Sequence, residues 1–329
     1  MEVINLTIGD ALAVRRRAVE HLLCPSTLGV TFDRDMSYDD SKGLSSLVGL
    51  VEDAHPGYRA VITCGAMQGL NVVVRAMKEF GHDRAELCLP HWGPIIEILD
   101  YHGVAWTARE DFDVSHLGPA SIEKTFYLLV APNNPDGSVP SGEEMQKIRD
   151  LGIPIIHDAA YCHPHYYNEG ESPELQGPII IHSVSKMLGM SGLRVGFVLC
   201  EDKTLADRVR QIVDVTTSGT SALSQRYTVG MLETYWRDEE ARAHFEQAVR
   251  KDLKDVRENM QDAVSRFLRS PVANYRGMFG WYDMDASALD RSKILHFTGE
   301  KFGAPGHVRL NLAAGEDRVR FACDRLRKF

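Results

Sequence analysis

The sequence predicts an α/β protein: a mostly parallel sheet covered by helices, with a second, smaller domain built from both ends of the chain. Three observations predict it. Through the middle of the chain, short apolar runs suited to strands buried on both faces alternate with longer amphipathic stretches. After about residue 200 the texture changes to long, charged segments of helical pattern. The composition, 44% hydrophobic and 25% charged over 329 residues, is that of a globular protein long enough for about two domains.

Each element follows from the order of the residues. Apolar runs at 60–63, 86–89, 126–130, 153–157, 178–182 and 195–199 read as strands. Between them, 67–80 sets Leu70, Val73, Val74 and Met77 at helical spacing, and 141–151 opens on Ser141 as a helix cap. Further on, 203–213 and 237–268 are helical in pattern, and 280–284 reads as a short strand. Residues 294–329 read as a short helix, a strand around 308–312 and a last helix. The large domain is expected over 36–230, and the small domain over 1–35 together with 231–329.

Several functions are disfavoured at once. With 37 basic and 46 acidic residues the net charge is −9, which does not attract nucleic acid or anionic membranes. No stretch of eighteen apolar residues suggests a membrane span. Asp10, Arg15, Arg16 and Arg17 precede any long apolar run, so no signal peptide is expected and the cytoplasm is the expected compartment. Cys24, Cys64, Cys88, Cys162, Cys200 and Cys323 are scattered without a CxxC pair, and read as reduced thiols rather than disulfides or a metal site. The common zinc, P-loop and dinucleotide signatures are missing from the sequence.

In open α/β sheets ligands bind at the carboxyl ends of the strands, and here those ends carry a set of polar residues. Lys186 closes Ser183-Val184-Ser185-Lys186 after the 178–182 run. A buried ammonium is costly, and an imine with an aldehyde cofactor removes the cost; standing alone, the lysine reads more simply as a surface residue. Asp158 ends the 153–157 run, where its carboxylate would pair with a pyridinium N–H or cap the next helix. Tyr161 lies three residues on, and Asn134 lies in Asn133-Asn134-Pro135-Asp136-Gly137, in itself a turn signal. Both can donate to a ring phenolate. Thr63-Cys64-Gly65-Ala66-Met67 passes from strand through glycine into a helix start, whose free N–H groups make an anion site with Arg194. Trp92 can stack on a flat ring or fill a core. Arg309 can hold a carboxylate by two parallel hydrogen bonds or form a surface ion pair. Each residue has a plain alternative; joined along successive strand ends, they describe a pocket for pyridoxal phosphate.

On these residues the sequence resembles the fold-type-I pyridoxal-phosphate enzymes of aminotransferase class I/II. The resemblance is carried by Ser183-Val184-Ser185-Lys186, the eight-residue step to Arg194 in 192–196, Asn133 to Gly137, and Asp158-Ala159-Ala160-Tyr161, and it runs from about Ile8 to the C-terminus. Within that class the sequence is most similar to the alliinase and plant tryptophan aminotransferase branch, through 131–137, 157–167, 293–303 and 308–313. The resemblance implies a seven-stranded, mostly parallel sheet between helices plus a smaller α+β domain. It implies that Lys186 forms the internal aldimine with pyridoxal 5′-phosphate and then shuttles the proton, while Asp158 pairs with the pyridine nitrogen. Asn134 and Tyr161 would hold the ring 3-oxygen, and Trp92 would stack on the ring. Ala66, Met67, Ser183 and Arg194 would bind the phosphate, with Gly65 and Ser185 also among the cofactor-binding residues. Arg309, with Asn134 and Gly9 nearby, would face the substrate carboxylate, and Tyr38 would reach the phosphate of the neighbouring subunit.

The implied activity is amino-group transfer from an L-amino acid to a 2-oxo acid in a homodimer with shared sites; the alternative is β-elimination by an alliinase-like C–S lyase. The sequence departs from the family pattern at Ala131, where many relatives have Asn, and at Asp136, where many have Thr. It is short at the N-terminus and in the small domain, and nothing in it corresponds to the cysteine-rich module of alliinases. His157, His163, His165 and His182 lie near the motifs, and most are expected to be structural; His163 and His165 fall in a segment that could approach the partner subunit.

Overall fold

A computed structural model of the chain describes residues 3–7, 9–23, 40–272 and 276–328. From the N-terminus, β1 (Ile4–Asn5) leads to α1 (Leu12–Leu22) and α2 (Ser45–Ala54). The next stretch alternates as read from the sequence: β2 (Arg59–Thr63), α3 (Gly65–Glu79), β3 (Arg84–Cys88), α4 (Pro94–Tyr101), β4 (Ala105–Arg109), α5 (Pro119–Ile122), β5 (Thr125–Val130), α6 (Gly142–Asp150) and β6 (Ile155–Asp158). It ends with β7 (Ile179–Ser183), the short α7 (Val184–Met187), β8 (Gly196–Cys200) and α8 (Lys203–Thr217).

These strands form one seven-stranded sheet in the order β2-β8-β7-β6-β5-β3-β4. All run parallel except β8, which is antiparallel to both β2 and β7. Six of the seven correspond to the apolar runs, displaced by a residue or two. The seventh, β4, has no such run: it is the outer strand beside β3, and Trp106 on it is 40% exposed. An edge strand with one face in water has no need of a continuous apolar stretch.

Both faces of the sheet are covered, and the alternation of side chains along β7 shows how. Ile179 and Ile181 point to the side filled by Leu70 and Val73 of α3 and Val209 of α8. Ile180 points to the other, with Val14 of α1 and residues of the two helices that follow α8. Each such side chain taken fully out of water stabilises the fold by about 1.5–3 kcal/mol. Ser141 caps α6 as expected: its hydroxyl accepts from Glu144 N at 3.2 Å, and the Glu144 carboxylate accepts from Ser141 N at 2.7 Å.

Beyond the sheet come α9 (Ala222–Arg237) and α10 (Glu239–Val264), the latter capped by Asp238. After β9 (Phe279–Asp283), α11 (Ser287–Arg291), β10 (Ile294–Leu295) and β11 (Phe297–Thr298), the chain closes with β12 (His307–Asn311) and α12 (Glu316–Leu326). The antiparallel sheet β11-β12-β9 sets Arg309 opposite Trp281. β1 pairs in parallel with β10, which brings the N-terminal segment against the C-terminal elements. Among the described residues no helix is long and apolar enough to cross a membrane.

Candidate active site

The carboxyl edge of the sheet opens into a cavity of about 410 Å³, within the ordinary range for small-molecule sites. Lys186 and Asp158 both line it. Asp158 is the last residue of β6, and Lys186 sits in the one-turn helix that leaves β7. Asn134 enters from the turn after β5, Tyr161 from the loop after β6 and Trp92 from the loop after β3. Arg194 precedes its strand rather than following it. Because β8 runs against its neighbours, the start of that strand lies at the same edge as the ends of the others.

Burial sets the protonation behaviour of the central pair. It lowers the Lys186 ammonium to about 8, with Asp10 opposing and Arg309 and Arg194 adding to the shift. Burial raises the Asp158 carboxyl to about 6, against a backbone N–H from Ala160 at 3.1 Å and the charge of Lys186. Lys186 Nζ donates to the carbonyl of Gly9. Burial also pushes the Tyr161 phenol upward, so it remains a donor.

One end of the cavity is built for an anion. Ala66 and Met67 line it at the N-terminal turn of α3, and Ser183 and Ser185 line it from the end of β7. Arg194 Nη1 donates to Ser191 O at 2.9 Å and approaches Ser185 Oγ at 3.4 Å. Gly65 keeps the cradle open: a Cβ there would lie 2.7 Å from Arg194 Nη2, and its φ of +76° suits glycine.

The other end holds Arg309, which is 3% exposed. Its Nη1 donates to Asn134 Oδ1 at 2.7 Å and its Nη2 to Thr7 O at 2.9 Å, while Nε is buried without a hydrogen-bond partner. The guanidinium lies over the rings of Phe279, Phe297 and Phe302 at 4.1, 4.9 and 5.0 Å. Burial lowers it to about 10, so it stays charged. A buried cation with a spare donor, set beside a cavity, suits a carboxylate.

Every expected site residue within the described part of the chain thus lies at this edge; Tyr38 falls outside the described residues. Thr7, Asp10, Ser191, Phe279 and Phe297 also line the cavity and went unread. Asp10 accepts from Arg15 Nη2 at 2.5 Å and Ser191 Oγ at 2.9 Å, which pins the N-terminal segment beside Lys186. No local pattern marks Thr7, Asp10, Phe279 and Phe297, because packing of distant segments brings them in, while Ser191 comes with the loop between Lys186 and Arg194. His157, His163, His165 and His182 are buried and lie outside the cavity lining. A larger hollow, about 1070 Å³, lies between α1, α10 and α12, but has no comparable set of converging donors around a buried lysine and carboxylate.

The donor set fits pyridoxal 5′-phosphate: an amine, a facing carboxyl, two groups able to meet a phenolate, a glycine-lined anion cradle and a carboxylate-binding arginine. The sequence matches the profile of the family "Aminotransferase class I and II" over residues 3–326. It is 25% identical over 304 residues to a probable aspartate/prephenate aminotransferase of Aquifex aeolicus, covering 82% of this chain and 75% of the relative. It is 25% identical over 289 residues to the aspartate/prephenate aminotransferase of Thermus thermophilus, covering 80% and 74%. The crystal structure of aspartate aminotransferase from Thermotoga maritima superposes with a TM-score of 0.78 at 22% identity, covering 100% of this chain and 92% of that one. These relatives lend no support to the alliinase and plant tryptophan aminotransferase branch expected from the sequence. Fold, cavity and profile agree: the chain belongs to the aminotransferase class I and II family and is a pyridoxal-phosphate-dependent transferase of amino groups.

Proposed function

We propose that Lys186 is the amine through which this enzyme moves the amino group of an L-amino acid, held by its α-carboxylate at Arg309, to a 2-oxo acid. The observation that carries the reading is the meeting of Lys186, Asp158 and Arg309 in one cavity at the carboxyl edge of the sheet. Pyridoxal phosphate, when bound, supplies an electron-withdrawing ring that acidifies the substrate's α C–H. Lys186, lowered to about 8, has a neutral fraction near physiological pH, so Nζ can take the α-proton and return it. Asp158 would face the ring nitrogen, and its carboxylate would keep a proton there. Asn134 and Tyr161 would hold the ring 3-oxygen, and Trp92 would cover a ring face. Gly65, Ala66, Met67, Ser183, Ser185 and Arg194 would hold the phosphate. Asn134 also ties the two ends together, since its carbonyl accepts from Arg309.

The substrates named for the relatives make L-aspartate the first donor to try. Among the described lining residues the cations are Lys186, Arg194 and Arg309, so a second carboxylate would find its counter-charge elsewhere. The working form is a cytoplasmic homodimer in which Tyr38 serves the partner's phosphate. β-Elimination uses the same lysine and acid, but the named relatives are aminotransferases, and it is not carried forward.

Replacing Lys186 by Ala is expected to lower transamination by about a thousandfold or more and to remove the visible absorbance of the purified protein. Wild-type turnover in that variant would refute the assignment.

A further inference from the structure

The motifs leave the buried hydroxyl of Tyr166 without a role. Lys186 lies in α7, only four residues long, so its last carbonyls have few helical partners. The N–H of Met190, four residues after Lys186, turns to Val184 O at 3.4 Å. The Lys186 carbonyl is met instead by Tyr166 Oη, which donates to it at 2.9 Å. Tyr166 is 1% exposed. Its backbone is fixed on both sides, with Tyr166 N donating to His163 O at 2.9 Å and Gly277 N donating to Tyr166 O at 2.9 Å. Its ring meets Tyr161 edge-on, centroids 5.9 Å apart. Tyr166 itself does not line the cavity.

We infer that Tyr166 is a positioning residue for the transfer reaction, holding the backbone of Lys186 by its hydroxyl and backing the ring of Tyr161 from behind the cavity. This rests on Lys186 being the reacting amine. A reacting nitrogen must sit within a few tenths of an ångström of its target, and a displacement of about 1 Å can cost a hundredfold in rate. Four flexible side-chain bonds separate Nζ from the Lys186 backbone, so that aim begins with a fixed main chain. Burial holds the phenol far above its ordinary range, so the donor persists across the working pH.

The test uses the holoenzyme. Tyr166→Phe keeps the ring and removes the donor; kcat is expected to fall about ten- to a hundredfold, with KM changed less than about threefold and the pH midpoint of the visible absorbance displaced. Tyr167→Phe is the control, since that buried hydroxyl meets Cys162 Sγ at 3.7 Å and not Lys186; its kcat and midpoint should match the parent. p-Aminophenylalanine at position 166 restores a donor on the same ring and should keep kcat within about threefold of the parent. Parental kcat and midpoint in Tyr166→Phe, or an equal loss in Tyr167→Phe, would overturn the inference. So would a tenfold loss with p-aminophenylalanine, which decides alone if the phenylalanine variant does not fold. A Tyr166→Phe enzyme that is coloured and fully active removes this role and leaves Lys186 standing, whereas an active Lys186→Ala enzyme removes both.

Discussion

Arg309 combines a buried charge, three aromatic rings and an unbonded Nε. Its desolvation is met by contacts that a lysine could not copy, because a planar fork can stack on rings and still donate along its edge. Arg309→Lys keeps the charge and loses the fork. Hydrogen bonds to charged groups contribute about 1.5–3 kcal/mol, so kcat/KM for the amino acid should fall roughly ten- to a hundredfold, while cofactor affinity changes little. A kcat/KM within twofold of the parent for every substrate accepted would show that the carboxylate sits elsewhere. Most of the site residues legible in the sequence stand beside strand ends, where buried main chain and a polar side chain meet at a fixed offset; Arg309, in the middle of β12, was legible from the strand it sits in and the family resemblance. Thr7, Asp10 and Phe279 were not legible, because their place depends on the N-terminal segment and β9 folding back over the cavity.

At the scale of elements, the cradle depends on how closely α3 approaches β8. Gly196 opens β8, and a Cβ on it would lie 2.7 Å from both Gly65 C and His182 O, and 2.9 Å from Ala66 N. All three are backbone atoms that cannot swing aside. Gly196→Ala must therefore push the start of α3 away from the sheet, and overpacking of this kind costs about 1–3 kcal/mol. The apoprotein should melt several degrees lower, and its affinity for pyridoxal phosphate should drop by about tenfold or more, as one lost phosphate contact implies. Gly192→Ala is the matched control, since nothing lies within 4 Å of its added methyl. Equal melting temperatures and affinities in the two variants would show that the close approach is not needed. The glycines, like the alternation of strands and helices, could be read in advance; the close contact could not, since it joins residues 65 and 196 across the sheet. The outer strand β4 escaped for a different reason, its solvent-facing side chains having broken the apolar run.

Across the whole molecule, the four histidines near the motifs tie stability to pH. His157 is held neutral by two backbone bonds: one ring nitrogen lies 3.0 Å from Ala131 O, and the other accepts from Gln176 N at 3.1 Å. Burial lowers it to about 4 and lowers His165 to about 3. Burial, with repulsion from neighbouring imidazoles, also holds His163 and His182 well below the ordinary range. Unfolding returns all four to about 6.5. Above that pH both states are neutral, and the full stability is present. As pH falls below 6.5 the unfolded chain takes up protons that the native chain refuses, so stability drops, and the loss is complete only below the native values. At pH 5, His157 and His165 alone remove about 2 kcal/mol each, a large part of a typical 5–15 kcal/mol. The melting temperature of the holoenzyme, measured at saturating cofactor, should therefore fall steeply between pH 6.5 and 5. His182→Leu replaces a buried imidazole, whose polar contact is with the backbone of Ala159, with an apolar side chain of similar size. It should leave the pH 8 melting temperature nearly unchanged and make the acid fall shallower; the same slope in parent and variant would place the acid sensitivity in other groups.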